Sequence, residues 1–300
     1  MITKKLNGYT ITIEREDKYY FPKDKITKGD LIDYYEQVAP HLLPHVKDRL
    51  LTMQRFPGGI TGEPFYQKDT PDYFPSWIPR VKVKKKTEGS VSYLVCQNAA
   101  TLVYLANQGC ITPHRWLSTT KHLNYPDRLI FDLDPAGKKV NFVLIRDTAF
   151  ALKEILEECG LVPFVMTTGS RGLHVCVPLK PDYTFDKVRA FAKAVGTKVV
   201  ERNPKKITLE SRKEKRVGKL LIDIMRNGFG ATAVVPYAVR ALPKAPVATP
   251  IEWDELSERG MSSQRYTIKT VFTRLERHGD AWKKIGKSAR SLKKGFAVIK

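Results

Sequence analysis

The spacing of apolar residues along the chain predicts a mixture of helices and strands. From Thr27 to Pro40 the apolar side chains recur every three or four positions behind a capping threonine, which is typical of a helix that the proline ends. Two more segments with this period are 142–159, which stops before Gly160, and 185–200. Short apolar runs predict strands at 128–134, 162–167, 173–179, 219–225 and 232–239. Because these elements do not alternate as regular strand–helix–strand units, we expect an α+β fold with central β-sheets flanked by helices.

The charge of the chain points to a polyanionic partner. The 52 Lys and Arg residues against 31 Asp and Glu give a net charge of +21. Nucleic acid is the favoured partner, because lysine and arginine release counterions when they neutralise phosphates. A basic surface that serves only solubility, or one that meets an anionic membrane, stays open on charge alone.

The sequence also indicates where in the cell the protein is located. No apolar run approaches the roughly 18 residues of a membrane span, and residues 1–20 carry no apolar leader core. The four cysteines lack the paired spacing of a disulfide framework or a zinc site. We therefore expect a cytoplasmic protein, associated with the nucleoid if its partner is DNA.

Two aspartates on one predicted strand are candidate metal ligands. Asp132 and Asp134 are two positions apart, so both carboxylates point to the same face of the strand. Like charges at this range repel, and a divalent cation with oxygen ligands neutralises them. The alternative is that the pair merely marks the exposed end of a strand.

A third carboxylate lies in another apolar strand. Asp223 stands between Ile222 and Ile224, where an unpaired buried charge would cost several kcal/mol. It either pairs with nearby Arg226 or joins the first two aspartates at a two-metal site. Such a site aligns an attacking oxygen, a phosphorus atom and a leaving group, which predicts phosphoryl transfer.

The segment between two predicted strands has the composition of a triphosphate-binding turn. Its glycines let backbone N–H groups approach phosphate oxygens, and its hydroxyl, guanidinium and imidazole groups add further contacts. The residues are Thr168, Gly169, Ser170, Arg171 and His174. The segment lacks the Lys-Ser/Thr of a Walker A loop. A plain hairpin turn is the alternative.

An adjacent aromatic pair is a candidate for base stacking. Phe65 and Tyr66 lie in a stretch rich in proline and glycine, which we expect to be irregular. Neighbouring rings on such a segment do not both face one core, so one is expected to be free to stack on a base. Packing of both rings in the core is the alternative.

Together these segments resemble a known family. Three motifs are similar, in order and spacing, to those of the polymerase domain of bacterial DNA ligase D, in the archaeo-eukaryotic primase superfamily: Phe131-Asp-Leu-Asp-Pro135, Thr168-Gly-Ser-Arg-Gly-Leu-His174 and Ile222-Asp223 with Arg226-Asn227. Further similar segments are Tyr19–Pro22, Thr27–Asp30, Arg55–Gly58, Phe65–Lys68, His114–Ser118, Ala231–Tyr237 and Trp253–Leu256. The resemblance covers nearly the whole chain, which carries no ligase or phosphoesterase module. Its initial Met1 favours a free-standing protein over a fragment.

The resemblance implies a template-dependent DNA or RNA nucleotidyltransferase in non-homologous end joining of double-strand breaks. It would fill gaps and extend ends by transfer from an NTP or dNTP to a primer 3′-hydroxyl, with two Mn²⁺ or Mg²⁺ ions per active site. Its implied partners are gapped or broken DNA with a 5′-phosphate, a separate DNA ligase and an end-binding protein of the Ku type. Residues 1–300 would form one primase-polymerase domain, divided into a DNA-binding part (1–120), a catalytic core (121–245) and a helical basic segment (246–300).

The resemblance also implies a role for individual residues. The catalytic and metal-binding residues would be Asp132, Asp134 and Asp223. The nucleotide would be bound by His114, Thr168, Gly169, Ser170, Arg171, His174 and Arg240. DNA would be bound by Lys18, Lys28, Arg55, Phe65, Tyr66, Lys68 and Arg216, with the two lysines at the 5′-phosphate and Arg216 near the template.

Two other functions remain open at this point. A two-metal nuclease would use the same carboxylates with water as the nucleophile, but it would have no triphosphate for Arg171 and His174 to hold. A non-catalytic module that binds DNA ends would need only the basic surface.

Overall fold

The computed structural model describes residues 2–85, 88–135, 137 and 140–299. Its strands are β1 Ile2–Leu6, β2 Tyr9–Ile13, β3 Tyr19–Phe21, β4 Ile26–Thr27, β5 Leu51–Arg55, β6 Phe65–Gln67, β7 Arg80–Lys84, β8 Ser90–Leu94, β9 Cys110–Trp116, β10 Arg128–Pro135, β11 Phe164–Thr167, β12 Leu173–Pro178, β13 Ile207–Thr208, β14 Leu220–Asp223, β15 Thr232–Val234 and β16 Pro250–Ile251. Its α-helices are α1 Lys28–Val46, α2 Ala99–Asn107, α3 Phe142–Glu158, α4 Phe185–Arg202, α5 Val271–His278 and α6 Lys293–Val298. This mixture of sheets and helices confirms the α+β prediction.

Helix α1 begins as predicted but ends later. Thr27 Oγ1 accepts a hydrogen bond from Asp30 N, and the Asp30 carboxylate accepts one from Thr27 N, which together form a capping box. The predicted end at Pro40 is wrong, because the helix continues to Val46. Leu42 and Val46 are fully buried and extend the apolar stripe. Their burial offsets the hydrogen bonds that the prolines remove.

The chain forms two compact units that are interleaved in sequence. The first comprises 1–116, 232–248 and 266–272, and the second comprises 117–231, 249–265 and 273–300. The predicted division into 1–120, 121–245 and 246–300 therefore differs from the observed one. The physical reason is strand pairing, since β15 joins the sheet of the first unit and β16 joins the sheet of the second.

The first unit contains a four-stranded sheet in the order β15-β9-β5-β6 and three two-stranded sheets. Helices α1 and α2 supply much of its core, which includes the fully buried side chains of Leu31, Val38 and Val103. Strand β15 is shorter than the predicted 232–239. Pro236 and the positive φ of Tyr237 (67°) turn the chain after Val234.

The second unit contains the sheet that carries the candidate carboxylates. Its order is β13-β14-β10-β12-β11-β16, so β10 lies between β14 and β12 and pairs antiparallel with both. The predicted helices 142–159 and 185–200 are confirmed as α3 and α4 within two residues. The predicted hairpin is confirmed as β11 and β12. The two acid-bearing strands are thus neighbours, although 84 residues separate their ends in sequence.

Two further expectations concern cysteines and membrane spans. All four cysteines are buried and free of disulfide bonds, as expected. Within the described ranges, no helix combines the length and the apolar character that crossing a membrane requires.

Candidate active site

The three aspartates lie together on one face of the sheet in the second unit. Asp132 of β10 stands directly opposite Asp223 of β14 in the antiparallel register. Residues opposed in this way have Cα atoms about 4.5–5.5 Å apart and side chains on the same face. Asp134 is two positions further along β10 and shares that face. The predicted meeting of Asp223 with the other two carboxylates is therefore present in the fold.

Cationic side chains surround this carboxylate group. Arg226 Nε lies 3.2 Å from Asp132 Oδ2 and 3.8 Å from Asp223 Oδ2, so it bridges the opposed pair. His174 Nε2, on the neighbouring strand, lies 3.5 Å from Asp132 Oδ1. The salt bridge considered as an alternative for Asp223 is present, and it coexists with the cluster of three aspartates.

Asp134 has its own pair of arginines. Arg171 Nη2 donates to Asp134 Oδ1 at 3.0 Å, and Arg216 Nη2 donates to Asp134 Oδ2 at 3.1 Å. Arg216 Nη1 also donates to the Asp134 carbonyl oxygen at 3.2 Å. The Arg216 side chain is buried, so in this structure it contacts a catalytic candidate rather than presenting itself to a template strand.

The opposed aspartates have pKa values displaced in opposite directions. Burial alone would raise the pKa of Asp132, but the charges and hydrogen bonds of His174 and Arg226 outweigh burial and lower it to about 2. Burial raises the pKa of Asp223, and the nearby Asp132 and Asp134 charges add to this effect, although the Met225 N–H and Arg226 oppose it. One carboxyl of the pair is held ionised, while the other binds a proton more readily than an ordinary aspartate.

The β11–β12 turn brings Arg171 to this site by close backbone packing. A Cβ atom on Gly172 would lie 1.7 Å from the Leu133 carbonyl oxygen, so only glycine allows the turn to approach β10. Gly169 adopts a positive φ of 63° within the turn. Thr168 Oγ1 donates to the Gly172 carbonyl oxygen at 2.9 Å and is buried. The Thr168 hydroxyl therefore stabilises the turn, and its predicted contact with phosphate stays a prediction.

A small cationic cavity lies at the Asp134 end of the carboxylate group. Its volume is about 260 Å³, and its lining includes Pro135, Arg171, Lys213 and Arg216. We call it the Asp134 cavity. Three positive side chains line this cavity, and two of them, Arg171 and Arg216, also donate to the Asp134 carboxylate.

The chemistry of the three aspartates suits a hard divalent cation. Carboxylate oxygens are the preferred ligands of Mg²⁺ and are suitable for Mn²⁺. In the part of the chain that the structure describes, no three His, Cys, Asp or Glu side chains are oriented around one common ligand position. The oxygen atoms of Asp132 and Asp134 instead accept from arginines. The donor set and its backbone placement therefore fit the predicted metals, whereas the side-chain directions are those of ion pairs.

Sequence reasoning missed a buried asparagine that fixes the site. Asn227 Oδ1 accepts from Ile130 N at 2.8 Å, and Asn227 Nδ2 donates to the Ile130 carbonyl oxygen at 2.7 Å. Asn227 thereby joins the turn after β14 to β10, two residues before Asp132. The sequence signal is its place beside Arg226 in the third motif, which carries no indication of a contact with β10.

The first unit brings together the two lysines predicted to bind a 5′-phosphate. Lys18 precedes β3 and Lys28 follows β4, so the β3–β4 pairing places them side by side, and Lys28 N donates to the Lys18 carbonyl oxygen at 2.8 Å. Lys28 is a buried residue, and its Nζ donates to the Glu14 carbonyl oxygen at 2.6 Å. Burial lowers the pKa of Lys28; the Glu14 charge opposes this shift, and the nearby Lys18 and Arg15 charges add to it.

The predicted aromatic pair lies on a strand rather than on an irregular segment. Phe65 and Tyr66 belong to β6, which is an edge strand, and their exposed fractions are 43% and 62%. Because β6 is short and at the sheet edge, both rings remain accessible for stacking. The Tyr66 ring contacts the His114 ring edge-on, with 5.8 Å between centroids.

Arg55 has a structural role beneath this pair. Its side chain is buried and donates to the Gln108 carbonyl oxygen, to Gln67 Oε1 and to Tyr73 Oη. Its guanidinium carbon lies 5.4 Å from the centroid of the Phe65 ring. Arg55 therefore supports the aromatic surface from below, and its predicted contact with DNA would have to come through that surface. Lys68 is exposed beside it.

The remaining nucleotide-binding candidates are divided between the units. Ser170, Arg171 and His174 lie with the carboxylates in the second unit, whereas His114 and Arg240 lie in the first. Gln264 Nε2 donates to the Ser170 carbonyl oxygen at 2.8 Å and supports the turn from a distant part of the chain.

Comparison with known proteins identifies the family. The family model described as the LigD primase-polymerase domain matches residues 27–282. This chain belongs to that family. A solved structure, the polymerase domain of Mycobacterium tuberculosis ligase D in complex with DNA, is similar with a TM-score of 0.86 and 29% identity, over 93% of this chain and 99% of that one. The primase-polymerase fold inferred from the motifs is thus confirmed.

Curated relatives are longer proteins of the same family. The bifunctional non-homologous end joining protein LigD of Bacillus subtilis is 31% identical over 264 residues, which are 88% of this chain and 42% of that protein. The multifunctional non-homologous end joining DNA repair protein LigD of M. tuberculosis is 31% identical over 287 residues, which are 93% of this chain and 37% of that protein. The chain spans about two fifths of the length of these relatives.

Proposed function

We propose that this protein is a template-dependent nucleotidyltransferase that extends a primer 3′-hydroxyl with an NTP or dNTP. The observation that carries the proposal is the register of Asp132 against Asp223, with Asp134 on the same face and the Arg171 turn on the adjoining strand. Phosphoryl transfer depends on positioning and electrostatic stabilisation, and this cluster can supply both.

The incoming triphosphate would occupy the Asp134 cavity. Arg171 is largely exposed, Lys213 lies in the same lining, and both can turn toward phosphate oxygens. His174 is buried beside Asp132 and would face the phosphate that is attacked. A nuclease would have no use for this group of cations, since hydrolysis of DNA leaves no pyrophosphate to hold.

We propose that the three aspartates hold two Mn²⁺ or Mg²⁺ ions. When bound, such ions lower the pKa of the attacking hydroxyl and neutralise charge on the phosphate. The contribution of the chain is to present three carboxylates on one rigid sheet face. Arg171, Arg216 and Arg226 must release the carboxylate oxygens for this, and a polyanionic substrate offers those arginines a competing partner.

The DNA substrate would be a gap or broken end with a 5′-phosphate. Lys18 and Lys28 would bind that phosphate, and Phe65 and Tyr66 would stack on the template. The net charge of +21 and the DNA complex of the solved relative support this assignment. The names of the curated relatives favour action in non-homologous end joining, with a separate DNA ligase and a Ku-type protein as partners.

A primer-extension panel tests the proposal. Labelled primer–template with a 5′-phosphorylated gap is incubated with each of four ribonucleotides and four deoxyribonucleotides, with Mg²⁺ or Mn²⁺. We expect extension by wild type and its loss in Asp223→Asn, because one carboxylate of the cluster is removed while the side-chain shape is kept.

The control variant is Asp147→Asn, an exposed aspartate on α3 outside the cluster, which should extend normally. Shortening of the primer instead of extension would establish a nuclease. DNA binding without any extension by wild type would leave only a non-catalytic end-binding role, and full extension by Asp223→Asn would refute the role proposed for Asp223.

A further inference from the structure

Tyr73 is the most exposed phenylalanine, tyrosine or tryptophan in the described ranges of the chain, with an exposed fraction of 64%. It lies in the loop between β6 and β7. A single exposed ring is common on protein surfaces, so its surroundings decide what it can do. Two features of those surroundings point to a ligand: the contacts that fix the ring, and a second exposed ring beside it.

The Tyr73 ring is held by two contacts. Arg55 Nη1 donates to Tyr73 Oη at 3.0 Å, and Arg55 is itself buried. The Tyr73 ring also meets the buried ring of Phe74 edge-on, with 5.2 Å between centroids. A side chain that is already fixed loses little conformational entropy on binding. Tyr73 is therefore a preorganised flat surface.

Phe65 is the second exposed ring. It stands directly opposite Arg55 in the antiparallel register of β5 and β6, so both side chains lie on one face of the sheet. Arg55 Cζ lies 5.4 Å from the centroid of the Phe65 ring, and the same guanidinium group reaches Tyr73 Oη. Phe65 and Tyr73 thus flank one guanidinium group. Accessible rings arranged in this way form a surface on which successive bases of a single strand stack.

The charges around Tyr73 favour a base over a phosphate. Asp69 and Asp72 lie in the same loop and are exposed, and their carboxylates repel phosphate but not a neutral base. Arg55, the cation in contact with Tyr73, is buried beneath the rings. A duplex keeps its bases paired and stacked inside, so the ligand that fits is an unpaired segment.

We propose that Tyr73 stacks on an unpaired base of the template strand, next to the base that Phe65 holds. The surface formed by Phe65, Arg55 and Tyr73 then binds two successive unpaired template nucleotides. The inference rests on the proposed stacking of Phe65 on the template and extends that contact by one nucleotide. Because a stacked ring contacts the face of a base rather than its edge, the contact is independent of base identity.

The fluorescence of 2-aminopurine locates the contact without catalysis. The probe replaces one base at a time along the unpaired template of a primer–template, which is bound to the full chain in the presence of a chelator. Stacking on a tyrosine or phenylalanine ring quenches the probe. We expect quenching at adjacent template positions in wild type and in Tyr73→Phe, which keeps the ring. In Tyr73→Ala we expect quenching to be lost at one of these positions only.

Affinity gives a second measurement on the same variants. Tyr73→Ala should weaken binding of a primer–template with unpaired template about tenfold, or about 1.4 kcal/mol, which is in the range for one base stacked on an aromatic ring. Binding of a fully paired duplex should be unchanged, and so should the salt dependence, since no phosphate contact is removed. The matched control is Tyr125→Ala, a tyrosine of the second unit that is 41% exposed. Because both tyrosines are exposed, the variants should fold, and thermal unfolding checks this.

Three results would overturn the proposal. If Tyr73→Ala matches wild type in quenching and affinity, the ring is left to a protein partner. If quenching is lost at every position in Tyr73→Ala, or if Tyr73→Phe behaves like Tyr73→Ala, Tyr73 acts only by supporting Arg55. Quenching lost at one position, in a protein whose wild type extends no primer, would support the proposal while removing the proposed polymerase activity.

Discussion

The opposite pKa displacements of Asp132 and Asp223 predict opposite effects of neutralising each residue. The changes are Asp132→Asn and Asp223→Asn, each measured in protein stripped of metal by a chelator. Asparagine keeps the size and shape of the side chain and removes its charge. Any difference in unfolding free energy between the variants therefore reports how well the surroundings accommodate each negative charge.

For Asp132 the magnitude follows from the pKa. A fall from 3.8 to about 2 corresponds to about 2 kcal/mol of folding free energy at neutral pH, since a tenfold change in proton affinity is worth about 1.4 kcal/mol. The side chain is only 14% exposed, so little of this is screened by solvent. This stabilisation by the ionised Asp132 carboxylate is present above the ordinary aspartate pKa and is lost as the pH falls through about 2. Asp132→Asn should therefore destabilise the protein at pH 7, but not near pH 2.

For Asp223 the ionised carboxylate has the opposite effect on the free energy of folding. Burial and neighbouring carboxylates raise its pKa, so the penalty on folding develops as the pH rises through the ordinary aspartate pKa and is complete above the folded-state pKa. Asp223→Asn should therefore stabilise the metal-free protein at pH 7, and the gain should vanish on acidification as the wild-type carboxyl takes up a proton. Because each charge affects the other, the double variant should depart from additivity.

Urea denaturation followed by tryptophan fluorescence, at several pH values in the presence of a chelator, measures both effects. An Asp132→Asn variant as stable as wild type at pH 7 would refute the role assigned to Arg226 and His174. An Asp223→Asn variant less stable than wild type would show that this carboxylate is well compensated without metal, contrary to its surroundings in the structure.

Three further outcomes follow from single contacts. If Asp134 holds a divalent cation, Arg216 would compete with that cation for the carboxylate. Arg216→Ala should then lower the Mn²⁺ concentration needed for half-saturation in calorimetry, whereas Arg212→Ala in the same loop should not. Because burial lowers the pKa of Lys28, the preference of wild type for a 5′-phosphorylated gap should decline at a less alkaline pH than that of Lys28→Arg. In Lys28→Ala the preference should be weaker at all pH values. Fluorescence anisotropy with phosphorylated and unphosphorylated gaps measures this preference. Thr27→Ala removes the cap of α1 and should lower the unfolding free energy by about 1 kcal/mol in urea titration, with Thr27→Ser close to wild type.

Local sequence patterns predicted helices and strands well where the apolar residues repeat with one clear spacing. Residues close together in the chain determine three such features: the capping box of α1, the limits of α3 and the turn between β11 and β12. The shared face of Asp132 and Asp134 follows from the two-residue period of a strand. Local patterns failed where packing overrides them, as at Pro40, where a continuing apolar stripe keeps the chain helical.

The partners of the carboxylates were decided only by the tertiary structure. The sequence determined that two aspartates share a strand face and that a third lies in another apolar strand, because side-chain direction along a strand is a local property. Strand pairing and its register place Asp223 opposite Asp132. They also bring Arg216 and Arg171 to the Asp134 carboxylate. Pairing is a cooperative result of burying one sheet face against the core, so it joins residues tens of positions apart that no local pattern relates.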